Sequence, residues 1–166
     1  MRRAPLEART RLPLVAVGFR ARARRALRYA WAFPATAVGM VFCAAAMCAG
    51  ARPRLVSGVV EVAGGRMHRA IAVLPQGARF AAITFGHVVI GVDHIVLGRI
   101  RAHERVHVRQ YERWGVLFFP LYLASSLIQW ARGRHPYLDN VFEREAYAKA
   151  SVAAEAASSV VPRAPS

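Results

Sequence analysis

Residues 102–111 read AHERVHVRQY, with His103 and His107 four positions apart and Glu104 directly after the first histidine. Side chains at positions i and i+4 of an α-helix project from the same face, one turn apart. Two imidazoles at that spacing can bind one metal ion, and the glutamate is placed to accept a proton from water at that metal. The stretch therefore predicts a helix with a metal site on one face.

An amphipathic helix is supported by the apolar pattern on either side of this stretch. Apolar residues and the two histidines recur at spacings of three and four: Val96, Leu97, Ile100, His103, His107, Tyr111 and Trp114. Asp93 is a suitable N-cap and Gly115 a natural stop, so we expect one helix from Asp93 to Trp114. Two simpler alternatives remain: a histidine pair that only packs in the core, and a chance match to the pattern.

A catalytic zinc site takes three protein ligands and leaves one position open, so a third ligand is required. Residues 139–150 read DNVFEREAYAKA and predict a last helix from Val141 to about Ala157, with Asn140 as its N-cap. Glu143 and Glu145 both lie in the first turns of this helix. An HExxH helix followed by a helix with the pattern E-x-x-A resembles the gluzincin class of zinc metallopeptidases.

This resemblance implies that Glu143 is the third zinc ligand beside the two histidines. The class has aspartate or asparagine four positions after that glutamate, where this chain has Tyr147. Glu143 also satisfies a capping box with Asn140, which needs no metal. Glu145 stays open as an alternative ligand, and because the two glutamates lie about 200° apart round a helix, only one of them can face the metal.

The resemblance further implies Zn²⁺ as the cofactor, Glu104 as the catalytic general base, and a peptide or protein as the substrate. The edge strand that binds extended substrate in the class would correspond to Ala81–Ile90. The sequence does not single out a side chain that stabilises the oxyanion. Four candidates remain open for that role: His87, Arg109, Tyr111 and Tyr137.

An apolar segment lies upstream of the site, preceded by a basic one. Residues 1–28 contain nine arginines and a single acid, and Pro5 and Pro13 are expected to break any long helix there. Residues 29–51 contain no charged residue for 23 positions. At about 1.5 Å per residue, this run is long enough to cross a bilayer core of about 30 Å. We expect a basic tail and then a transmembrane helix; a buried core helix and a cleaved signal peptide are alternatives.

The arginines around this apolar segment predict its orientation. Nine of them precede it, whereas Arg52 and Arg54 alone follow it closely. Arginine-rich flanks stay in the cytoplasm. We therefore expect a single-pass membrane protein whose catalytic domain lies outside the cytoplasm.

A second apolar run, residues 115–131, is interrupted by Pro120. If this run crossed the membrane, the histidine pair and Glu143 would lie on opposite sides and could not bind one metal. We therefore expect a core helix, a hairpin or a segment that dips into the membrane surface, with substrates close to the membrane. Five arginines on the HExxH helix argue against a zinc site inside the bilayer, because each costs at least ~2.5 kcal/mol at the bilayer centre.

Between the two apolar runs the sequence favours strands. Leu55–Val62 is rich in valine, and Arg79–Val92 is rich in β-branched residues. The expected fold class is α+β: a small antiparallel sheet, then the HExxH helix and the C-terminal glutamate-bearing helix, all after an N-terminal transmembrane helix. Residues 52–157 would form the metallopeptidase domain and residues 158–166 a frayed end.

Composition limits the other function classes. A chain of 166 residues builds one ordinary domain, and 55% hydrophobic residues exclude a disordered protein. Cys43 and Cys48 are spaced neither as a redox pair nor as a zinc knuckle. The net charge of +15 leaves two alternatives to an enzyme: a non-catalytic membrane protein with a structural or decayed metal site, and a basic protein that binds anionic lipid or nucleic acid. Nucleic acid is disfavoured, because the tail has no aromatic residue among its arginines before Phe19.

Overall fold

A computed structural model describes residues 11–74 and 80–160 of the chain. These residues form a mixed α+β fold of five α-helices, one 3₁₀ turn and one small sheet. The elements in chain order are α1 (Arg11–Cys48), β1 (Arg52–Val56), β2 (Val59–Ala63), α2 (Met67–Ala72), β3 (Ala82–Phe85), β4 (Val88–Gly91), α3 (His94–Trp114), the 3₁₀ turn (Gly115–Leu117), α4 (Phe118–Ala131) and α5 (Val141–Val160).

The four strands form one sheet in the order β1-β2-β4-β3. The outer pairs, β1 with β2 and β3 with β4, are antiparallel, but the central pair of β2 and β4 is parallel. The prediction of an antiparallel sheet is therefore wrong for the central pair, β2 and β4. The reason is the connection between the two hairpins, because the segment that contains α2 returns the chain so that β4 runs in the direction of β2.

Both predicted strand segments turn halfway along their length. Leu55–Val62 turns at Ser57 and Gly58, whose φ angles of 48° and 80° suit the two central positions of a type I′ hairpin. The expected edge strand Ala81–Ile90 turns at Gly86, where φ is 57°. Only its first half, β3, therefore lies at the edge of the sheet, and β4 is an interior strand.

Helices α1 and α3 cover the two faces of the sheet. Alternate residues of a strand point to opposite faces. Val59 of β2 packs with Leu97 of α3, whereas Val62 of the same strand packs with Cys43 and Ala46 of α1. Helix α5 packs across the other side of α3. The HExxH helix is therefore held between the sheet and the glutamate-bearing helix.

The predicted bounds of α3 are confirmed. Oδ1 of Asp93 accepts hydrogen bonds from two backbone N–H groups of the first turn, and Gly115, with φ 58°, follows the last residue. Helix α5 begins at Val141 as expected but continues to Val160, beyond the expected end at Ala157. The remainder of the expected frayed end lies outside the described residues.

Helix α1 combines most of the expected basic tail with the expected transmembrane helix. It begins at Arg11, so Pro13 does not break it: proline is tolerated in the first turn, where its missing N–H has no partner to lose. The helix ends at Cys48, three residues before the expected end at Ala51. Pro5 lies outside the described residues.

Two helical stretches are long and apolar enough to cross a membrane, Ala21–Cys48 and His94–Ala131. Core helices and signal sequences meet the same criteria of length and composition. The inner side of α1 also belongs to the folded domain: the Tyr29 hydroxyl donates a hydrogen bond to the Gly58 carbonyl, and Ala46 packs on the sheet. The expected anchor therefore packs against the domain along one side, and its other side is exposed.

Gly39 allows the close approach of α1 to the sheet. A Cβ atom at this position would lie 2.8 Å from Val88 Cβ and 2.9 Å from the Phe85 carbonyl oxygen. We expect Gly39→Ala to lower the free energy of unfolding by about 1–3 kcal/mol, because the added methyl group overpacks the contact. A lower thermal unfolding midpoint of the detergent-solubilised chain would measure this loss.

Gly98→Ala is the matched control, since Gly98 is exposed on α3 and a Cβ there meets open space. The control should gain about 1 kcal/mol from the higher helix propensity of alanine. An unfolding midpoint of Gly39→Ala equal to that of the wild type would contradict the packing of α1 on the sheet.

Candidate metal centre

Three side chains from α3 and α5 converge on one point. His103 Nε2 lies 3.1 Å from His107 Nε2 and 3.1 Å from Glu143 Oε2, and His107 Nε2 lies 3.4 Å from Glu143 Oε1. The HExxH spacing accounts for the first of these distances, because positions i and i+4 share a helix face. The packing of α5 on α3 accounts for the other two.

The three distances fit a metal ion. Two ligands at about 2.0–2.1 Å from a tetrahedral zinc ion are separated from each other by about 3.3 Å. One ligand atom from each of the three residues lies within 4.8 Å of the others. The donors are two imidazole nitrogens and a carboxylate oxygen, the set that zinc takes in catalytic sites. Glu143 Oε2 is buried without a well-aligned hydrogen bond, as expected of an atom aimed at a cation.

Gln110 fixes the orientation of the His107 ring. The Gln110 side-chain nitrogen donates hydrogen bonds to the Phe142 carbonyl and to Glu145 Oε2, both of which only accept, so its oxygen must face His107. That oxygen lies 2.8 Å from His107 Nδ1, which therefore carries the ring proton. His107 Nε2 then faces the cluster, where its lone pair can bind a cation or, when the ring is protonated, its N–H can donate to Glu143.

Glu143 is ionised in its buried position. Burial raises the pKa of its carboxyl group, but the imidazoles of His103 and His107 and a hydrogen bond from the Tyr122 hydroxyl outweigh burial and bring the pKa well below its usual value. The Tyr122 oxygen lies 2.8 Å from Glu143 Oε1. A negative charge is therefore present at the cluster to balance a bound cation.

Glu145, the alternative third ligand, is turned away from the histidines. Its carboxylate accepts hydrogen bonds from Lys149 and from Gln110, which lower its pKa. The carboxylate that reaches the ring nitrogens is that of Glu143. Its role as a metal ligand stays a prediction.

The capping box is only half formed. Asn140 Oδ1 accepts a hydrogen bond from the Phe142 N–H, as an N-cap should. The Glu143 side chain, which would complete the box, instead faces the histidines. The Asn140 side-chain nitrogen donates to the Tyr122 carbonyl and to the Ser126 hydroxyl, and so fixes the start of α5 against α4.

Glu104 lies beside the cluster with its carboxylate held in place. The Thr84 hydroxyl on β3 donates a hydrogen bond to Glu104 Oε2 at 2.7 Å. Both residues are buried and line the same cavity as the histidines and Glu143. One carboxylate oxygen of Glu104 is thus anchored to the edge strand.

The cavity has a volume of about 260 Å³ and combines this polar cluster with apolar walls. Its walls come from β3 and the residues around it, from α3, from α4 and from the loop before α5. Their lining side chains are Phe80, Ala82, Ile83, Phe85, Tyr111, Phe118, Phe119, Tyr122 and Tyr137. A mostly apolar pocket with few polar groups is typical of a small-molecule or peptide site.

The four candidates for oxyanion stabilisation occupy different places. Tyr111 and Tyr137 line the cavity, whereas His87 and Arg109 are not among its lining residues. His87 is bonded to Glu112 on the far side of α3. Tyr137 is 42% exposed, and its hydroxyl lies 3.5 Å from that of Tyr147.

Tyr147, which departs from the gluzincin pattern, packs its ring against His103 with the ring centres 4.5 Å apart. His103 Nδ1 has no hydrogen-bond partner among the described residues. Sequence reasoning missed Thr84, Gln110 and Tyr122. Only Gln110 carries a local signal, because it lies one helical turn after His107 on the same face. The other two come from segments that are distant in sequence.

We expect Glu143→Ala to weaken zinc binding by more than about 100-fold, since the loss of a group that only orients a ligand already costs about 10–100-fold. Glu145→Ala should bind zinc as the wild type does, because its carboxylate faces Gln110 and Lys149. Each variant is dialysed against a series of chelator concentrations, and elemental analysis then measures the zinc that it retains. Zinc lost from Glu145→Ala but retained by Glu143→Ala would reverse the choice of ligand.

Comparisons of the chain with protein-family models, with curated proteins and with solved structures find no match. The resemblance to gluzincins therefore rests on the HExxH and E-x-x-A patterns alone. A function for this chain has to be inferred from the side chains around His103, His107 and Glu143.

Proposed function

We propose that this chain is a membrane-associated, zinc-dependent peptidase with His103, His107 and Glu143 as zinc ligands and Glu104 as general base. The observation that carries the proposal is the convergence of two imidazole nitrogens and a carboxylate at 3.1–3.4 Å, next to a buried glutamate in a cavity. Zinc bound there would supply a Lewis acid that lowers the pKa of water and polarises a carbonyl group.

Glu104 takes a proton from the attacking water and passes it to the leaving amine. Thr84 serves this step as a positioning residue, because its hydroxyl donates a hydrogen bond to Glu104 Oε2 and so holds the carboxylate beside the cluster. Of the four candidates for the oxyanion, Tyr111 and Tyr137 line the cavity, and either hydroxyl could donate the hydrogen bond.

Strand β3 supports a peptide as the substrate. It is the outermost strand on its side of the described sheet, and its residues line the cavity beside Glu104. An extended polypeptide can add to such an edge through backbone hydrogen bonds. The scissile bond would then lie next to the general base.

The cavity favours catalysis over a purely structural metal site. Structural zinc sites are closed by four protein ligands, whereas catalytic sites keep a position open. Within the described residues, three side chains form the cluster and the remaining side opens to the cavity. The alternative of a non-catalytic protein with a structural or decayed site predicts metal binding without hydrolysis.

We expect Glu104→Gln to keep stoichiometric zinc and to lose peptide hydrolysis by at least about 100-fold, because general acid–base catalysis contributes about 10²–10⁴-fold. Hydrolysis of a quenched fluorescent peptide library by the detergent-solubilised chain measures the loss. Glu155→Gln on the exposed side of α5 is the control and should act as the wild type. Full activity in Glu104→Gln would remove the general-base role, and a wild type that binds zinc but cleaves nothing would favour the non-catalytic alternative.

The proposed location follows from α1, whose residues 21–48 are apolar enough to cross a membrane. Arginines concentrated before the apolar run favour a domain outside the cytoplasm. We expect a reporter enzyme that works only outside the cytoplasm to be active when it is fused after Ser166. Activity of a cytoplasm-restricted reporter at the same position would reverse the orientation and leave the zinc site untouched.

A further inference from the structure

Helix α4 has its polar and apolar sides inverted relative to a helix of a water-soluble domain. It is 14 residues long and carries no charge, and its buried residues are Phe118, Ser125 and Gln129. Two of these three are polar, and the large apolar side chains point outward: Phe119, Leu121, Leu123, Leu127, Ile128 and Trp130. A soluble domain rarely exposes such a contiguous apolar surface.

The apolar part of α1 has the same inverted character. Small residues make its contact with the domain, with Ala32, Ala35, Cys43 and Ala46 all buried. The large side chains face outward, namely Trp31, Phe33, Val38, Val41, Phe42 and Met47. Small residues toward protein and large apolar residues outward are typical of helices that pack within lipid.

The two exposed surfaces are continuous. They meet at the 3₁₀ turn, where a Cβ atom on Gly115 would lie 2.7 Å from the indole of Trp31. Val116 and Leu117 of that turn are exposed beside Trp31. The outer sides of α1 and α4 together therefore form one apolar surface, called here the outer surface.

Exposed arginines flank both apolar segments in the sequence. Arg132 and Arg134 follow α4, whereas Arg25 and Arg28 precede the apolar part of α1, where Arg28 also lies 3.7 Å from Glu112. Guanidinium groups at the rim of an apolar surface suit the anionic headgroups of a phospholipid bilayer. This charge complementarity identifies lipid as the occupant.

Helix α4 also contributes to the wall of the cavity, and its exposed Phe119 belongs to both the cavity wall and the outer surface. Phe118, Phe119 and Tyr122 of α4 line the cavity, and Phe85 at the end of β3 stacks on Phe42 of α1 with ring centres 5.3 Å apart. A polypeptide that leaves the lipid beside α4 would meet β3 and the metal cluster directly. The chain thus offers a short path from the bilayer to the site.

We infer that the outer surface is embedded in a phospholipid bilayer and that the substrates are polypeptide segments at the membrane surface. Helix α4, about 21 Å long, enters the bilayer without crossing it, because the hydrocarbon core is about 30 Å thick. The statement about lipid is independent of catalysis, whereas the statement about substrates rests on the proposed peptidase function.

A fluorescent probe on α4 tests the lipid contact without requiring activity or metal. Full-length chain with Cys43→Ala and Cys48→Ser receives one new cysteine, Leu123→Cys on α4 or Ser151→Cys on the exposed side of α5, labelled with a polarity-sensitive dye. The labelled chains are reconstituted into vesicles of phosphatidylcholine and phosphatidylglycerol in equal parts. Acyl chains carrying bromine quench from within the lipid, and iodide quenches from water.

At position 123 we expect severalfold stronger quenching by brominated lipid than at position 151, and the reverse for iodide. Quenching at position 123 by iodide alone would overturn the lipid contact and leave the outer surface to a protein partner. Circular dichroism of both labelled chains checks that each is folded.

The substrate statement is tested with one peptide sequence presented in two forms, free in solution and tethered to the vesicle by a lipid anchor. Leu123→Asp combined with Leu127→Asp should retain zinc and cleavage of the free peptide but lose cleavage of the tethered peptide severalfold. If this variant cleaved both forms equally, the statement about membrane-surface substrates would be overturned. If the wild type cleaves neither form, the peptidase proposal fails, and the quenching result alone decides the lipid contact.

Discussion

The crossing of α5 over α3 is the contact on which the site depends. It brings the ionised carboxylate of Glu143 to 3.1 Å from His103 Nε2 and 3.4 Å from His107 Nε2. In a buried place, lone pairs at such distances repel one another unless a proton or a cation lies between them. The arrangement therefore suits either a proton shared with the imidazoles or a bound cation, and the position of α3 between the sheet and α5 maintains it.

Gln110 links the two helices at this crossing. Its amide bridges His107 on α3 to the Phe142 carbonyl and Glu145 on α5, so one side chain sets both the tautomer of a histidine and the rotation of the neighbouring helix. In many zinc sites a carboxylate orients the histidine ligand. An amide gives the same orientation without adding a second negative charge beside Glu145.

The outer sides of α1 and α4 raise a separate physical question, because they expose apolar side chains in a chain of net charge +15. The inferred lipid contact would account for this, since it would remove the apolar surface from water and leave the arginines to reach the headgroups. The candidate metal site lies between α3 and α5, whose exposed sides bear charged residues. The apolar exposed sides are thus those of α1 and α4, and the charged exposed sides are those of α3 and α5.

Local sequence alone determined the features that depend on neighbours along the chain. The bounds of α3 follow from Asp93 and Gly115, the pairing of His103 with His107 from the helical period, and the charge-free run from composition. Sequence could not reveal the parallel pairing of β2 with β4, because two predicted strands each conceal a turn and the direction of β4 depends on the crossover through α2. Tertiary structure alone decided that Glu143 and not Glu145 reaches the histidines. The two glutamates lie on different sides of α5, and only the rotation of that helix on α3, set by Gln110 and Asn140, selects which one faces the cluster.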